Sequence, residues 1–269
     1  MKRSELKSVF GTSRPILGMI HLPPLPGSPN YQGSMTQVID HALRDADALV
    51  TNGISAMIVE NLGDYPYYPV TQEPETVAAM TRAALELRRA YPNVPLGINV
   101  LRNSWKSALA IASLVDAQFI RLNILTDTMV TDQGMLNGEA HLALRYRKAI
   151  GAEQVLLFCD VYSKHAAPVA PRDIATVAHE MVGRGMADAL IISGTETPVP
   201  PKKEDVEEVR RAVPETPIIL GSGVTLGALD IVALADGTVF GYGTKPSGDM
   251  NDPVDGPTVK KFMDAVRAL

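Results

Sequence analysis

Eight times along the chain a short, nearly unbroken apolar run gives way to a polar residue, then to a Gly- or Pro-rich loop, then to apolar residues spaced three and four apart. Unbroken apolar runs of about four to eight residues suit strands buried on both faces, and the three-four spacing suits helices with one apolar stripe. The runs predict strands at 16–21, 54–61, 94–100, 117–124, 155–161, 189–193, 217–224 and 237–241. Helices are predicted over 35–52 and 74–90, and around 105–112, 142–150, 174–181 and 206–213. Gly53 is a natural left-handed helix stop, Pro171 suits a first helical turn, and Thr225 suits the N-cap of a short helix. A last helix begins near Asp255 and Pro257, and the segment between Ile124 and Gly138 is read as a long loop.

Strands rich in Val, Ile and Leu that alternate with helices require a parallel sheet covered by helices. Eight such units are the number that closes into a cylinder. An open doubly wound sheet is the alternative, but it usually carries a glycine fingerprint after its first strand. Prolines 23, 24 and 26 stand there instead. The expected fold is therefore α/β, a single (β/α)8 barrel over 1–269.

Composition bounds the partners. The 269 residues are 46% hydrophobic with a net charge of −5, and Lys and Arg are dispersed, so no nucleic-acid partner is expected. One cysteine, Cys159, precludes an internal disulfide and fits a reducing, cytoplasmic setting; it is expected to face the helices as a small hydrophobe. No apolar segment approaches the roughly 20 residues of a transmembrane helix, and no signal peptide is visible.

In such barrels the chemistry sits at the carboxyl ends of the strands. Those ends supply His21, Glu60, Asn99, Arg121, Asn123, Asp160, Ser193 and Ser222, and the opposite ends show no matching polar set. Side chains alternate along a strand, so Arg121 and Asn123 share a face, and that face points inward if Ile120 and Leu122 face the helices. A buried arginine needs a partner, and Glu60 and Asp160 are available. The pair either fills the barrel or belongs to a cluster that grips an anion or moves protons. Lys164 and His165 lie just beyond Asp160. The histidine suits general acid–base work, and the lysine suits gripping a phosphate or, as the weaker alternative, forming a Schiff base. The alternative for both is a solvated loop pair. Gly221, Ser222 and Gly223 follow the seventh strand, and Gly241 and Gly243 the eighth. Glycine loops at these positions let backbone N–H groups approach phosphate oxygens. A divalent ion on Glu60, Asp160 and the two histidines is the weaker alternative, since no short ligand motif supports it; no cofactor is expected. The PxxP at Pro23 to Pro26 is read as a rigid rim, and Tyr65, Tyr67 and Tyr68 as a cover or a subunit contact.

Six segments, MIHLPPLPGSP (19–29), ENLGD (60–64), RLN (121–123), DQG (132–134), DVYSKHAAP (160–168) and GSGV (221–224), are similar to those of the BtpA/SgcQ family and follow in order over most of the chain. The resemblance implies a TIM barrel of the phosphate-binding kind. It links one branch of the family with photosystem I biogenesis and others with sugar-metabolism genes. It brings no established active site. Thr197 and Pro198 after the sixth strand, and GYGTKP (241–246) after the eighth, depart from the family pattern beside the phosphate loops.

Two readings result. The first is an enzyme using acid–base chemistry on a small phosphorylated metabolite, a sugar phosphate or nucleotide-like compound. Gly221, Ser222, Gly223, Gly241 and Gly243 bind the phosphate, while His21, Asn99, Arg121, Asn123 and Ser193 orient the substrate. Glu60, Asp160 and His165 move protons with Lys164 assisting. The second is a non-catalytic assembly factor of the photosystem I kind. Alanine at His165 or Asp160 is expected to abolish turnover and leave folding largely intact. Association into a homo-oligomer is also expected.

Overall fold

Alternation within the strands decides what fills the barrel. In the computed structural model, which describes all 269 residues, the parallel strands β1 (Ile16–His21), β2 (Ala56–Glu60), β3 (Leu96–Asn99) and β4 (Phe119–Leu122) lie side by side. β5 (Thr128–Thr131) and β6 (Gly134–Asn137) then leave the barrel. The barrel resumes with β7 (Leu156–Asp160), and β8 (Ala166–Pro168) again lies outside it. β9 (Ala189–Ile192), β10 (Ile218–Leu220) and β11 (Gly237–Phe240) complete the circuit, with β11 pairing back to β1. This is the closed eight-stranded parallel barrel that the sequence implies. β1 coincides with its predicted run, and the other barrel strands are shorter than theirs, by one or two residues at most of the ends that differ. Gly221 to Val224, for instance, leaves the ladder at Leu220 and becomes loop.

The barrel interior has an apolar lower layer that includes Leu17, Met19, Ile58, Phe119, Phe158, Ile191, Ile219 and Val239. Residues two further along β1, β2, β4 and β7 from Met19, Ile58, Phe119 and Phe158 are His21, Glu60, Arg121 and Asp160. The period of two thus lifts a polar layer directly above the apolar one. Gly97 makes room for the Phe119 ring, since a Cβ there would come within 2.3 Å of it. The intervening residues, among them Ile20, Val59, Ile98, Ile120, Leu122 and Cys159, face outward into a larger core under the helices.

The helices α2 (Met35–Val50), α3 (Pro74–Ala90), α4 (Trp105–Leu114), α5 (Ala140–Ala149), α6 (Ile174–Gly183), α7 (Lys203–Ala212), α8 (Leu229–Val232) and α9 (Gly256–Arg267) form the outer ring. Before them, α1 (Leu6–Phe10) closes the amino-terminal end of the barrel. Its Phe10 meets Phe119 and Phe158 edge-on at 5.8 and 6.0 Å between ring centroids. No helix is long and apolar enough to cross a membrane.

Three expectations are corrected. The segment after Ile124 is not simply a loop. β5 and β6 form a hairpin, and β8 joins it to make a three-stranded antiparallel sheet whose Met129 and Leu136 pack on Ile124. The amino-terminal helix is absent from the predicted elements because five residues are too few to show a period. The opposite rim also has a polar set of its own. Asp188 accepts from the Leu157 N–H and Arg147, and Asp236 from the Ile218 N–H, Arg3 and Arg210. These carboxylates fasten strand beginnings rather than face a shared cavity.

Candidate active site at the barrel mouth

The register of the first three strands sets His21 beside Glu60 and Glu60 beside Asn99. Asn99 donates its amide N–H to Glu60 Oε2, while His21 Nε2 stands 3.7 Å from Glu60 Oε1. Across the mouth, Arg121 Nη2 donates to both Asp160 oxygens at 3.0 and 3.2 Å, and Asn123 donates to Asp160 Oδ2 at 2.8 Å. All six residues are buried.

The loops add a rim. Leu22 and Leu25 of the proline segment are buried, and Asp64 accepts from the Leu25 N–H at 2.7 Å. The backbone of Pro23 and Pro24 lies where a Cβ on Gly63 would sit, which ties the first two similar motifs together. Arg102, in the loop after β3, binds two separate stretches with its guanidinium. It donates to Asp132 in the hairpin turn at 2.9 Å, to Ser163 Oγ at 3.2 Å, and to the carbonyls of Lys164 and His165 at 2.6 and 3.2 Å. Lys164 Nζ donates to Thr197 Oγ1 at 2.9 Å and to Ser222 Oγ at 3.4 Å, and the two hydroxyls are 3.1 Å apart.

Two cavities open here. One, of about 230 Å³, is bounded by Tyr67, Leu101, Arg102, Asn123, Ser163 and His165; the other is a recess of about 30 Å³ against Gly221 to Val224, Gly241 and Tyr242. Six residues line both: His21, Glu60, Arg121, Lys164, Thr197 and Met250. A larger depression, about 600 Å³, lies at the opposite rim around Arg3, Arg14 and Arg267 and shares no residue with them.

Burial sets the protonation states. It pushes the Glu60 carboxyl up, against the pull of Arg121 and Lys164. It pushes His21 down to about 3, with help from the charges of Lys245 and Lys164, so that imidazole is neutral at neutral pH. Lys164 is lowered by burial and then by Arg121, and His165 by burial and then by Lys164. Burial also works against the Arg121 charge, but Asp160 and Glu60 more than offset it.

The sequence-derived candidates therefore fall into three groups. His21, Glu60, Arg121, Asn123, Lys164, His165, Gly221, Ser222, Gly223 and Gly241 line the cavities. Asn99 and Asp160 lie beneath, holding the residues that do. Ser193 and Gly243 line neither cavity. Ser193 Oγ is buried without a partner behind Gly221, and Gly243 packs on Phe240 and the Val224 carbonyl. Glu60, Asp160, His21 and His165 are not grouped as a metal site, since no three His, Cys, Asp or Glu side chains cluster so as to hold an ion. Sequence reasoning missed Arg102, Ser163, Thr197 and Met250, all loop residues without a periodic signal. Cys159 faces the helix layer as expected. Of the three loop tyrosines, Tyr67 lines the cavity and donates its hydroxyl to the Leu62 carbonyl, while Tyr65 and Tyr68 are exposed.

Residues 12–268 match the BtpA family. The chain belongs to the BtpA family. Its relatives include the photosystem I biogenesis protein BtpA of Synechocystis sp., 39% identical over 97% of this chain and 91% of that protein. An uncharacterized protein of Methanocaldococcus jannaschii is 35% identical over 95% of this chain and 96% of its own length. An uncharacterized mitochondrial protein of Caenorhabditis elegans is 31% identical over 100% and 99%. Among solved structures, KGPDC from Streptococcus mutans superposes with a TM-score of 0.60 at 8% identity, covering 95% of this chain and 98% of that one. The tryptophan synthase alpha chain from Legionella pneumophila gives 0.59 at 12% identity, covering 100% and 98%. At such identities these two likenesses establish the TIM-barrel fold of this BtpA-family chain and nothing finer.

Proposed function

We propose that this BtpA-family protein is an enzyme that uses acid–base chemistry on a small phosphorylated metabolite held at the carboxyl mouth of the barrel. The observation that carries the reading is a juxtaposition. The backbone N–H groups of Ser222, Gly223 and Val224 make no hydrogen bond within the protein, and they border the same recess as Lys164, the Thr197 and Ser222 hydroxyls, and Glu60. Free amides, hydroxyls and an ammonium suit phosphate oxygens. A buried carboxyl whose pKa burial raises above its ordinary value suits a group that both gives and takes a proton. Among the residues lining the cavities, His21 Nδ1, Arg121 Nε and Asn123 Oδ1 are buried without a partner, spare hydrogen-bonding capacity that a polar ligand would use.

Roles follow from position. Glu60 transfers the proton, with His165 at the outer edge of the larger cavity as the second acid–base group. Arg121 and Asn123 orient the organic part. Asp160 touches no substrate and is a positioning residue for both. The recess holds about one water as it stands, so a phosphate seated there displaces the Met250 side chain. A thermal-shift screen of phosphorylated metabolites tests the reading. A ligand at about 100 times its Kd adds about 2.7 kcal/mol and raises the Tm by about 5 °C for a chain of this length. For that compound, Glu60→Gln should keep the shift and lower turnover by about 100-fold or more. No shift with any phosphorylated compound would overturn the proposal.

The name of the Synechocystis relative favours a second reading, a non-catalytic assembly factor. Relatives in a methanogenic archaeon and a nematode, which carry no photosystem, weigh against it as the common role of the family. A protein partner recovered in pull-down from a chain that no phosphorylated metabolite stabilises would favour it.

A further inference from the structure

Every lysine is exposed except Lys164 and Lys245, and these two are held in opposite ways. Burial works against the charge of Lys245 as well, but its Nζ lies 3.3 Å from the buried Asp45 carboxylate and donates to the Asp252 carbonyl, acceptors that favour the ammonium. Lys164 has no carboxylate within 4.0 Å. Its partners are the Thr197 and Ser222 hydroxyls, which can donate to a neutral amine as readily as they accept from a charged one. It lines both cavities, and there the guanidinium groups of Arg121 and Arg102 act against its charge, with Arg121 outweighing the opposite pull of either Glu60 or Asp160. A lysine that only held an anion would gain from keeping its charge, and burial beside Arg121 works against that charge. A desolvated amine next to another cation is the usual setting of a nucleophilic lysine.

We infer that Lys164 condenses with the carbonyl group of a small phosphorylated aldehyde or ketone to form a Schiff base. The inference rests on the anion site proposed above for the phosphate. The neutral Nζ attacks the carbonyl carbon. A C–N bond forms, the C=O π pair moves to oxygen, and the proton lost by nitrogen ends on that oxygen, giving a carbinolamine. The Glu60 carboxyl protonates the hydroxyl, water leaves, and the nitrogen lone pair closes the iminium. Glu60, now a carboxylate, is left in the same wall to take a proton from the adjacent carbon.

Wild-type protein would be incubated with glycolaldehyde phosphate, reduced with sodium borohydride, and mapped by peptide mass spectrometry. The expected product is a reduced adduct on Lys164, formed faster than on the exposed Lys106 or Lys260. Excess inorganic phosphate should slow it. Labelling of exposed lysines with Lys164 unmodified would overturn the inference without requiring any variant to fold. Two controls separate it from the anion site. If glycerol 3-phosphate, which has no carbonyl, raises the Tm while Lys164 is not trapped, the carbonyl chemistry is wrong and the anion site stands. If glycolaldehyde labels Lys164 as fast as its phosphate does, the Schiff base stands and the anion site falls.

Discussion

Asp160→Ala is the variant on which the polar layer depends most visibly. The carboxylate is fully buried and accepts two contacts from Arg121 and one from Asn123. Its removal leaves a guanidinium that is 4% exposed without its paired carboxylate, only Glu60 acting from further off, and an Asn123 side chain with neither end bonded. Breaking a buried pair from one side costs about 3–5 kcal/mol. Over 269 residues, an unfolding entropy of about 2.1 cal/mol/K per residue gives about 0.56 kcal/mol/K, so the Tm should fall by about 5–9 °C. Calorimetry at pH 7 reads this directly, with urea unfolding as a check on cooperativity. The double variant Arg121→Met with Asp160→Ala should recover much of the loss, because no charge is then left buried. A fall under about 2 °C for the single variant, or a double variant less stable than the single, would refute the account. The sequence-based expectation that alanine here spares the fold is thereby reversed. At His165, which is exposed, the same expectation is kept, with a change within about 0.5 kcal/mol to be read by the same calorimetry.

Other perturbations test separate parts of the site. His21 has its folded pKa lowered to about 3, so it contributes stability that is present above its unfolded pKa of 6.5 and is lost as pH falls toward 3. Between pH 7 and 5 the wild type should lose about 2 kcal/mol that His21→Gln does not, measured by urea unfolding at both pH values. Equal losses would exclude His21 as the source. Gly223→Ala places a Cβ 2.4 Å from the Val199 backbone at a φ of +74°, so it should lower the Tm and abolish any phosphate-induced shift in a thermal-shift assay. Arg102→Met should speed amide exchange in 128–137 and 163–168 while leaving the barrel strands protected, as read by hydrogen-exchange mass spectrometry. Met250→Ala should enlarge the recess and increase the Tm shift produced by inorganic phosphate; a smaller shift would count against an anion in the recess.

How far the sequence could be read depended on how many residues share each signal. The barrel strands are legible because each repeats an apolar run, a polar tip and a loop, and eight repeats corroborate one another. The inward face of Arg121 and Asn123 is legible for the same reason, since Ile120 and Leu122 mark the opposite face. The β5–β6–β8 sheet is not, because its strands are three or four residues long, too short to show an alternation, and β5 and β6 are separated only by the polar turn at Asp132 and Gln133. Arg102 is hidden differently. Nothing in the sequence around Leu101 indicates that one guanidinium will reach stretches 30 and 62 residues away. The depth of Asp160 is equally illegible. Sequence places it at a strand end, where a catalytic carboxylate would stand, but only packing reveals that Arg121 covers it.

Phe10 has a consequence beyond stability. With its ring wedged against Phe119 and Phe158, the cylinder is corked at one end, and the apolar layer beneath His21 and Glu60 admits no water from below. A molecule bound above His21 and Glu60 therefore enters and departs on the side lined by Met250 and Arg102, and if departure limits the proposed cycle, turnover should slow in viscous solvent.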